Sequence, residues 1–307
     1  MNHNRTYTTV LFTVLAVISL RAQGLSQYRC IHWTQIESDA HTHTAMRAFE
    51  KSGCAYVISV DNETLATCIE PAAEFEKKRV RSPSLEEVSE TPYVKLLEKA
   101  SSPPYPLAND GIRRQDHGEG LFLTADLCPS TRPFVKEMIS QLPSSNQPIA
   151  VGFSVTGAWL DSHSKDLAWI KHQEASGRLS ITWINHSNTH PYRVKEPLET
   201  NFLLTPGLCF ENEVLEAEKK MIENGLTPSV FFRFPGLISS EALIQKLKEL
   251  SLIALGSDAW LAKGEIPKAG SILLVHANGN EPRGIAALRI LYKNEKASRF
   301  RDLKSIR

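Results

Sequence analysis

The chain lacks any apolar run long enough to cross a membrane as a helix. The longest run, residues 9–20, has about twelve positions, whereas a helical span needs roughly 20. An excess of one charge is also absent, since 35 Lys and Arg balance 34 Asp and Glu to give a net charge of +1. Nucleic-acid binders usually show a concentrated basic surface, and the one basic run, residues 77–81, is flanked by glutamates. We therefore expect neither a stable membrane span nor a nucleic-acid partner.

Cysteine is scarce as well. The five cysteines among 307 residues are too few for a disulfide scaffold, and their odd number leaves at least one unpaired within a monomer. Cys128 and Cys209 both follow predicted strands that carry candidate catalytic residues. We expect these two cysteines to pair with each other.

The chain also lacks the motif of a serine hydrolase. The nearest match to Gly-x-Ser-x-Gly is Gly152-Phe-Ser-Val-Thr156, in which the second glycine is missing. That motif exposes its serine on a sharp turn between strand and helix, and the glycines allow the turn. The sequence thus disfavours acyl transfer by a serine nucleophile.

The N-terminal residues have the pattern of a secretory signal. Arg5 supplies a positive charge, the apolar run follows it, and Ala22-Gln-Gly24 offers small residues for a cleavage site. We expect residues 1–24 to be a signal peptide and the mature protein to be secreted or periplasmic. An uncleaved membrane anchor is the alternative.

From residue 121 onward, short apolar runs alternate with amphipathic helical patterns. The pattern predicts strands at 121–125, 149–155, 179–184, 230–232, 252–255 and 272–275. It predicts helices at 131–142, 165–174, 211–224, 241–250 and 283–292. Such alternation is typical of an α/β fold, in which right-handed crossovers place parallel strands side by side and cover them with helices.

Titratable residues stand at the carboxyl ends of five of these runs: Asp126, His186, Arg233, Asp258 and His276. In folds of parallel strands, the loops at those ends carry the chemistry. The most informative stretch is His186-Ser-Asn-Thr-His190, which follows a predicted strand and precedes Pro191. Two imidazoles one helical turn apart can reach the same ion. The sequence therefore predicts a divalent-metal site on His186 and His190.

Residues 25–110 do not continue the alternation. We predict a strand at 56–60 and a short helix at 45–50, and we interpret the Pro- and Ser-rich residues 101–106 as a linker. His41 and His43 are interpreted as part of a plain polar segment in preference to a metal pair on a strand face. The expected organisation is an N-terminal region of unknown role, residues 25–110, before a catalytic region, residues 111–307.

In their order along residues 115–295, the strand-end motifs resemble those of the polysaccharide deacetylase superfamily, the family 4 carbohydrate esterases with the NodB homology domain. Where that family has Thr-Phe-Asp-Asp-Gly-Pro, this chain has Thr124-Ala-Asp-Leu-Cys-Pro129, and residues 186–190 match its His-Ser/Thr-x-x-His. The family's Arg-x-x-Pro, Asp-x-Trp and Leu-x-x-His motifs are similar to Arg233-Phe-Pro-Gly236, Ser257-Asp-Ala-Trp260 and Leu273-Leu-Val-His276.

The resemblance implies a distorted (β/α) barrel with fewer than eight strands, following a smaller N-terminal extension. It implies a metal-dependent hydrolase that removes acetyl groups from an N- or O-acetylated glycan of a cell wall or an exopolysaccharide. By the resemblance, His186 and His190 hold a divalent metal, expected to be zinc. The other implied roles are Asp126 as base, His276 as acid, Arg233 and Asp258 as supporting charges, and Trp260, Leu274 and Pro235 as substrate-binding residues.

Two positions depart from the family pattern, and one of them is the proline of Arg233-Phe-Pro-Gly236, which stands one place early. Leu127 stands where most members have a second aspartate that binds the metal, and catalytic zinc usually has three protein ligands and a water. Waters could complete the coordination, which is the favoured interpretation, or Asp126 or a thiolate from Cys128 could do so. Leu127 also keeps open the alternative that the chain is a non-catalytic, carbohydrate-binding relic of the same fold.

Overall fold

The computed structural model describes residues 25–37, 40–116 and 118–307. The predicted signal peptide, residues 1–24, lies outside them. Within the described ranges, no helix is long and apolar enough to cross a membrane. The division of the chain into two regions at residue 110 stays a prediction.

The N-terminal region forms an antiparallel sheet of five strands. Its elements are β1 (Ser26–Glu37), β2 (Thr42–Lys51), β3 (Cys54–Asp61), β4 (Thr67–Pro71), α1 (Ala72–Lys77), β5 (Arg79–Arg81), α2 (Leu85–Ser89) and α3 (Pro92–Ala100). The strands lie in the order β4-β3-β2-β1-β5. The strand predicted at 56–60 is confirmed as part of β3.

The short helix predicted at residues 45–50 is wrong, because these residues lie in β2. Ala45 pairs with Trp33 of β1 on one side and with Ser59 of β3 on the other. Hydrogen-bonded partners on both sides override the weak helical preference of a short segment.

The C-terminal region contains a sheet of seven strands. Its elements are β6 (Phe122–Leu127), α4 (Glu137–Ser140), β7 (Ile149–Val155), α5 (Gly157–Ser162), α6 (Ser164–Ala175), β8 (Leu179–Asn185), α7 (Phe210–Glu223), β9 (Pro228–Phe232), α8 (Glu241–Glu249), β10 (Ile253–Ala254), β11 (Ala259–Trp260), β12 (Ile272–His276) and α9 (Pro282–Asn294). All neighbours in the order β10-β9-β8-β7-β6-β12-β11 are parallel. The structure confirms a distorted (β/α) barrel of fewer than eight strands with an N-terminal extension.

The helix predicted at residues 131–142 is much shorter in the structure, where α4 covers only Glu137–Ser140. The amide of Phe134 donates to the Asp166 carboxylate at 3.0 Å, and the amide of Val135 donates to the Ala277 carbonyl at 2.8 Å. These tertiary hydrogen bonds engage backbone groups that a helix would otherwise use.

The open side of the half-barrel, between the edge strands β10 and β11, is bridged by the chain that precedes β6. Ile112 pairs with Leu255, and the amide of Ile112 donates to the carbonyl of Ala254 at 2.9 Å. Gly111 allows this close approach, because a Cβ at its position would lie 2.3 Å from the Ala254 oxygen. Gly111 also has a φ of 88°, which favours glycine.

Strand β6 divides its side chains between the two faces of the barrel sheet. Leu123, Ala125 and Leu127 belong to the hydrophobic cluster that packs against the covering helices. Thr124 and Asp126 face the barrel interior, where one guanidinium donates to both side chains. This alternation follows from the two-residue period of a strand.

A buried ion pair joins the N-terminal sheet to helix α7. Arg47 of β2 donates its Nε and Nη2 to the two carboxylate oxygens of Glu218 of α7, at 2.7 and 2.9 Å. The Tyr28 hydroxyl donates to the same carboxylate at 2.8 Å. The side chains of Arg47 and Glu218 are only 1% and 2% exposed, so water cannot replace either partner.

Glu218→Gln should lower the free energy of unfolding by about 3–5 kcal/mol, because it leaves the Arg47 charge buried without its partner. The matched control is the exposed pair of Lys95 and Glu90, at 2.7 Å. Glu90→Gln should cost at most about 1 kcal/mol. Urea denaturation measures both, and equal losses at the two positions would show that the buried pair does not hold the N-terminal sheet to α7.

Candidate active site

The two predicted catalytic residues are direct neighbours in the barrel sheet. Asp126 lies near the end of β6 and His276 ends the parallel strand β12, and the register pairs these two residues. His186 follows β8, and its Nε2 lies 3.7 Å from Oδ2 of Asp126. Arg233 follows β9 and contacts the same carboxylate. The structure therefore brings four of the strand-end residues to one site.

Asp126 is held by the guanidinium of Arg233. Nη1 of Arg233 donates to Oδ1 of Asp126 at 2.8 Å and to the Thr124 hydroxyl at 2.8 Å. Burial favours the neutral acid, but Arg233, with His186 and His276, outweighs it and lowers the pKa of Asp126 to about 2. Asp126 is therefore a carboxylate at neutral pH.

His186 presents a defined nitrogen to the site. Its Nδ1 lies 2.8 Å from the backbone carbonyl of Arg233, which can only accept, so Nδ1 carries the hydrogen. Nε2 lies 3.5 Å from Sγ of Cys128. Burial lowers the pKa of His186, but Asp126 and Cys128 outweigh it and raise that pKa, so Nε2 offers a lone pair to a metal once it has lost its proton. A backbone carbonyl that fixes the ring in this way is typical of histidines that bind metals.

The loop from His186 to His190 is held in an unusual backbone conformation. Ser187 has a φ of 67° and His190 a φ of 50°, values that residues other than glycine rarely adopt. Such conformations persist where the surroundings enforce them, often at functional sites. The two imidazole rings lie 4.9 Å apart, centre to centre.

The residue that anchors this loop is Glu213 of α7, which the sequence did not single out. Its Oε2 accepts from the amides of Asn188 and Thr189 at 3.0 and 2.8 Å, and its Oε1 accepts from the Thr189 hydroxyl at 2.7 Å. Glu213 is buried, so water does not compete for these bonds. The carboxylate of Glu213 thereby fixes the position from which His190 projects.

Cys128 completes a group of three donors. Its Sγ and one ring nitrogen each of His186 and His190 all lie within 4.8 Å of one another. Burial raises the pKa of the Cys128 thiol, but His190 and His186 lower it well below its ordinary value. A thiolate with two imidazoles is a donor set that suits zinc.

The side chain of Leu127 does not lie beside the metal-binding group. Its side chain is fully buried in the cluster on the helix-covered face, and its carbonyl accepts from the Thr156 hydroxyl at 3.0 Å. The strand period places residues 126 and 128 on one face and residue 127 on the other. Cys128, and not residue 127, thus lies beside the histidines.

The expected disulfide between Cys128 and Cys209 is wrong. Both cysteines are free. Cys128 is buried against His186, whereas Cys209 is exposed and its Sγ lies 3.6 Å from the Glu211 carboxylate. Pairing these cysteines would require the site around Cys128 to open.

His276 is oriented by Glu281, which the sequence also did not single out. The Nδ1 of His276 lies 2.8 Å from Oε2 of Glu281, which also accepts from the Trp260 indole at 2.9 Å. Burial lowers the pKa of His276, but Cys128 and Glu281 outweigh it and raise the pKa to about 10. His276 is therefore an imidazolium whose Nδ1 donates to Glu281.

Asp258 is the predicted catalytic residue that the structure does not bring to this cluster. Among the described residues it forms no ion pair with Arg233 or His276, and its buried Oδ1 has no hydrogen-bond partner. It lines a separate cavity of about 790 Å³ together with Arg113 and Arg114. Glu281, and not Asp258, is the carboxylate that contacts His276.

The three predicted substrate-binding residues differ in accessibility. Trp260 is half-buried, and its ring centre lies 5.6 Å from that of His276. Leu274 is only 1% exposed, and Pro235 is buried at the start of a short turn. Of the three, only Trp260 offers surface to a ligand.

No family model matches the chain. The chain is similar to the solved structure of a family 4 carbohydrate esterase from Bacillus anthracis, with 19% identity and a TM-score of 0.49 over 70% of this chain and 90% of that one. It is similar to Bacillus subtilis PdaA, also described as a family 4 carbohydrate esterase, with 15% identity and a TM-score of 0.47 over 80% and 92%. A chitin deacetylase from the fungal pathogen Colletotrichum lindemuthianum matches with 15% identity and a TM-score of 0.43 over 64% and 89%. Similarity at this level assigns no activity.

Leu127→Asp should destabilise the protein without tightening its binding of zinc. The substitution would bury a carboxylate among apolar side chains, which costs more than a cavity alone. The control Leu127→Ala should lower the free energy of unfolding by about 2–5 kcal/mol. Urea denaturation and zinc titration measure the two effects. A folded Leu127→Asp protein with higher zinc affinity would place residue 127 beside the ion.

Proposed function

We propose that the protein is a metal-dependent hydrolase that removes acetyl groups from an N- or O-acetylated polysaccharide. One observation carries this proposal. A carboxylate and an imidazolium, Asp126 and His276, lie side by side in the sheet, next to the donor atoms of Cys128, His186 and His190. A base, an acid and a metal site at one rim are the parts that metal-assisted hydrolysis needs.

Cys128, His186 and His190 would hold the metal ion, which we propose to be zinc. Their chemistry fits, because Cys128 is a buried thiol of lowered pKa and His186 can bind through Nε2 while its Nδ1 donates to a backbone carbonyl. When bound, such an ion would polarise the acetyl carbonyl and lower the pKa of a water. Three protein ligands also resemble the usual number in catalytic zinc sites.

Asp126 is the proposed base. Arg233 occupies Oδ1 and keeps the carboxylate ionised, while Oδ2 points toward His186 and remains able to accept a proton from the attacking water. Arg233 acts here as a positioning residue, since its guanidinium is fully buried against Asp126 and Thr124.

His276 is the proposed acid. Its Nδ1 donates to Glu281, so Nε2 carries the proton that the leaving amine or alkoxide would take. Glu281 is a positioning residue. Its carboxylate also accepts a hydrogen bond from the Trp260 indole, which holds the Trp260 ring beside His276. Proton uptake by Asp126 and proton release by His276 balance over one hydrolysis.

Aromatic surface beside the site supports a sugar substrate. Tyr192 follows His190 by two positions and is 57% exposed. One face of its ring stacks on Phe202, with centres 5.0 Å apart, and Phe202 also contacts His190. Together with Trp260, Tyr192 gives the rim flat apolar faces of the kind that line small-molecule sites. We propose an acetylated cell-wall glycan or exopolysaccharide as substrate, met outside the cytoplasm after removal of residues 1–24.

The alternative candidate is a non-catalytic, carbohydrate-binding relic of the fold, which the sequence left open at Leu127. A relic would need neither a zinc ion nor an acid–base pair. Zinc content and acetate release, measured on the same purified protein, separate the two candidates.

Acetate release from chitin oligomers, peptidoglycan and acetylated exopolysaccharide tests the proposal. Asp126→Asn and His276→Ala should each lower the rate on the active substrate by about 10²–10⁴-fold, the usual scale of general acid–base catalysis. The control His172→Ala changes an exposed histidine on α6 and should retain the wild-type rate. If both site variants kept the wild-type rate, or if no acetylated glycan released acetate, the proposed mechanism would be wrong.

A further inference from the structure

A second group of side chains that could hold a metal ion lies at one end of the N-terminal sheet, where His41 directly precedes β2. Donor atoms of His41, His43 and Asp61 all lie within 4.8 Å of one another. His43 of β2 pairs directly with Asp61 of β3, and Nδ1 of His41 lies 3.0 Å from Oδ2 of Asp61. We propose that these three residues, with Glu37 at the end of β1, bind a second divalent cation of the zinc type.

The Asp61 carboxylate is already oriented for this task. Its Oδ1 accepts from the amides of Glu63 and Thr64 in the turn after β3, at 2.9 and 3.3 Å. The turn therefore fixes the carboxylate plane and leaves Oδ2 directed at His41. Partners that hold a ligand in position in this way raise metal affinity.

Glu37 is arranged in the same manner. Its Oε1 accepts from Nε2 of Gln35 at 3.0 Å, and its Oε2 lies 3.8 Å from Nε2 of His43. The charge of Lys78 disfavours a cation here, since its Nζ lies 3.9 Å from the same Glu37 oxygen. Lys78 is paired more closely with Glu70, at 2.6 Å. Two carboxylates can thus neutralise a dication beside two imidazoles.

The two histidines project from the same side of the sheet. Residues two apart along a strand share a face, and the His41 and His43 rings lie 6.4 Å apart at an angle of 25°. Their side chains are 40% and 13% exposed, so an ion can enter from solvent. Because Glu37, His43 and Asp61 belong to β1, β2 and β3, the bound ion would cross-link these three strands.

Zinc titration by calorimetry tests this inference on a protein whose barrel site has been removed by His186→Ala and His190→Ala. This parent variant should bind one equivalent of zinc. Adding His43→Ala, or Asp61→Asn, should abolish that equivalent. Asp61→Asn keeps an oxygen for the turn amides, so it removes the charged ligand without removing the turn. Adding His32→Ala, an exposed histidine of β1, is the matched control and should leave binding intact.

A second readout is the melting temperature of the same proteins. Zinc should raise it in the parent variant and in the His32→Ala control, but not in the His43→Ala or Asp61→Asn proteins. Equal melting temperatures without zinc would show that the variants fold alike. An absence of zinc binding in the parent variant, or binding that survives His43→Ala, would overturn the inference. Either result leaves the proposed deacetylase site untouched, because the barrel histidines are absent from every protein in the series.

Discussion

The barrel site depends on one buried side chain, the guanidinium of Arg233. The guanidinium donates to Asp126 and Thr124 on β6 and to the backbone carbonyl of Gly256. The backbone carbonyl of Arg233 accepts a hydrogen bond from Nδ1 of His186. A fully buried cation is tolerated only when it is paired and hydrogen-bonded, and Arg233 meets both conditions. The same contacts keep the proposed base ionised, fix a proposed metal ligand and tie β9 to β6 across the interior.

Much of this arrangement could be predicted from the sequence, because the carboxyl ends of parallel strands meet at one rim. That rule placed Asp126, His186, Arg233 and His276 together, and it failed for Asp258, which precedes the edge strand β11 and lies beside a separate cavity. The roles of two other carboxylates, Glu213 and Glu281, were not predicted. Tertiary packing brings Glu213 to its loop, and the turn after β12 brings Glu281 back to His276, five residues earlier. Of the N-terminal sheet only β3 was predicted, because β1 and β2 do not alternate cleanly between buried and exposed residues.

The position of Cys128 follows from the two-residue period of a strand. The resemblance in the sequence motifs suggests residue 127 as a metal ligand, but the two-residue period of β6 places that side chain on the helix-covered face. Residues 126 and 128 share the inner face, so an acid at 126 predicts that the thiol at 128 lies near it. A thiolate in place of a carboxylate gives the ion a softer ligand.

In the proposed metal site Cys128 binds the ion together with His186 and His190, and X-ray absorption at the zinc edge would detect its sulfur. The His43→Ala protein, loaded with one equivalent of zinc, isolates the barrel site from the N-terminal one. We expect one sulfur at about 2.3 Å from the zinc ion, with nitrogen and oxygen ligands at about 2.0–2.2 Å. The sulfur signal should vanish in Cys128→Ser and persist in Cys209→Ser. A coordination shell of nitrogen and oxygen alone, in protein that retains Cys128, would show that Cys128 does not bind the zinc ion.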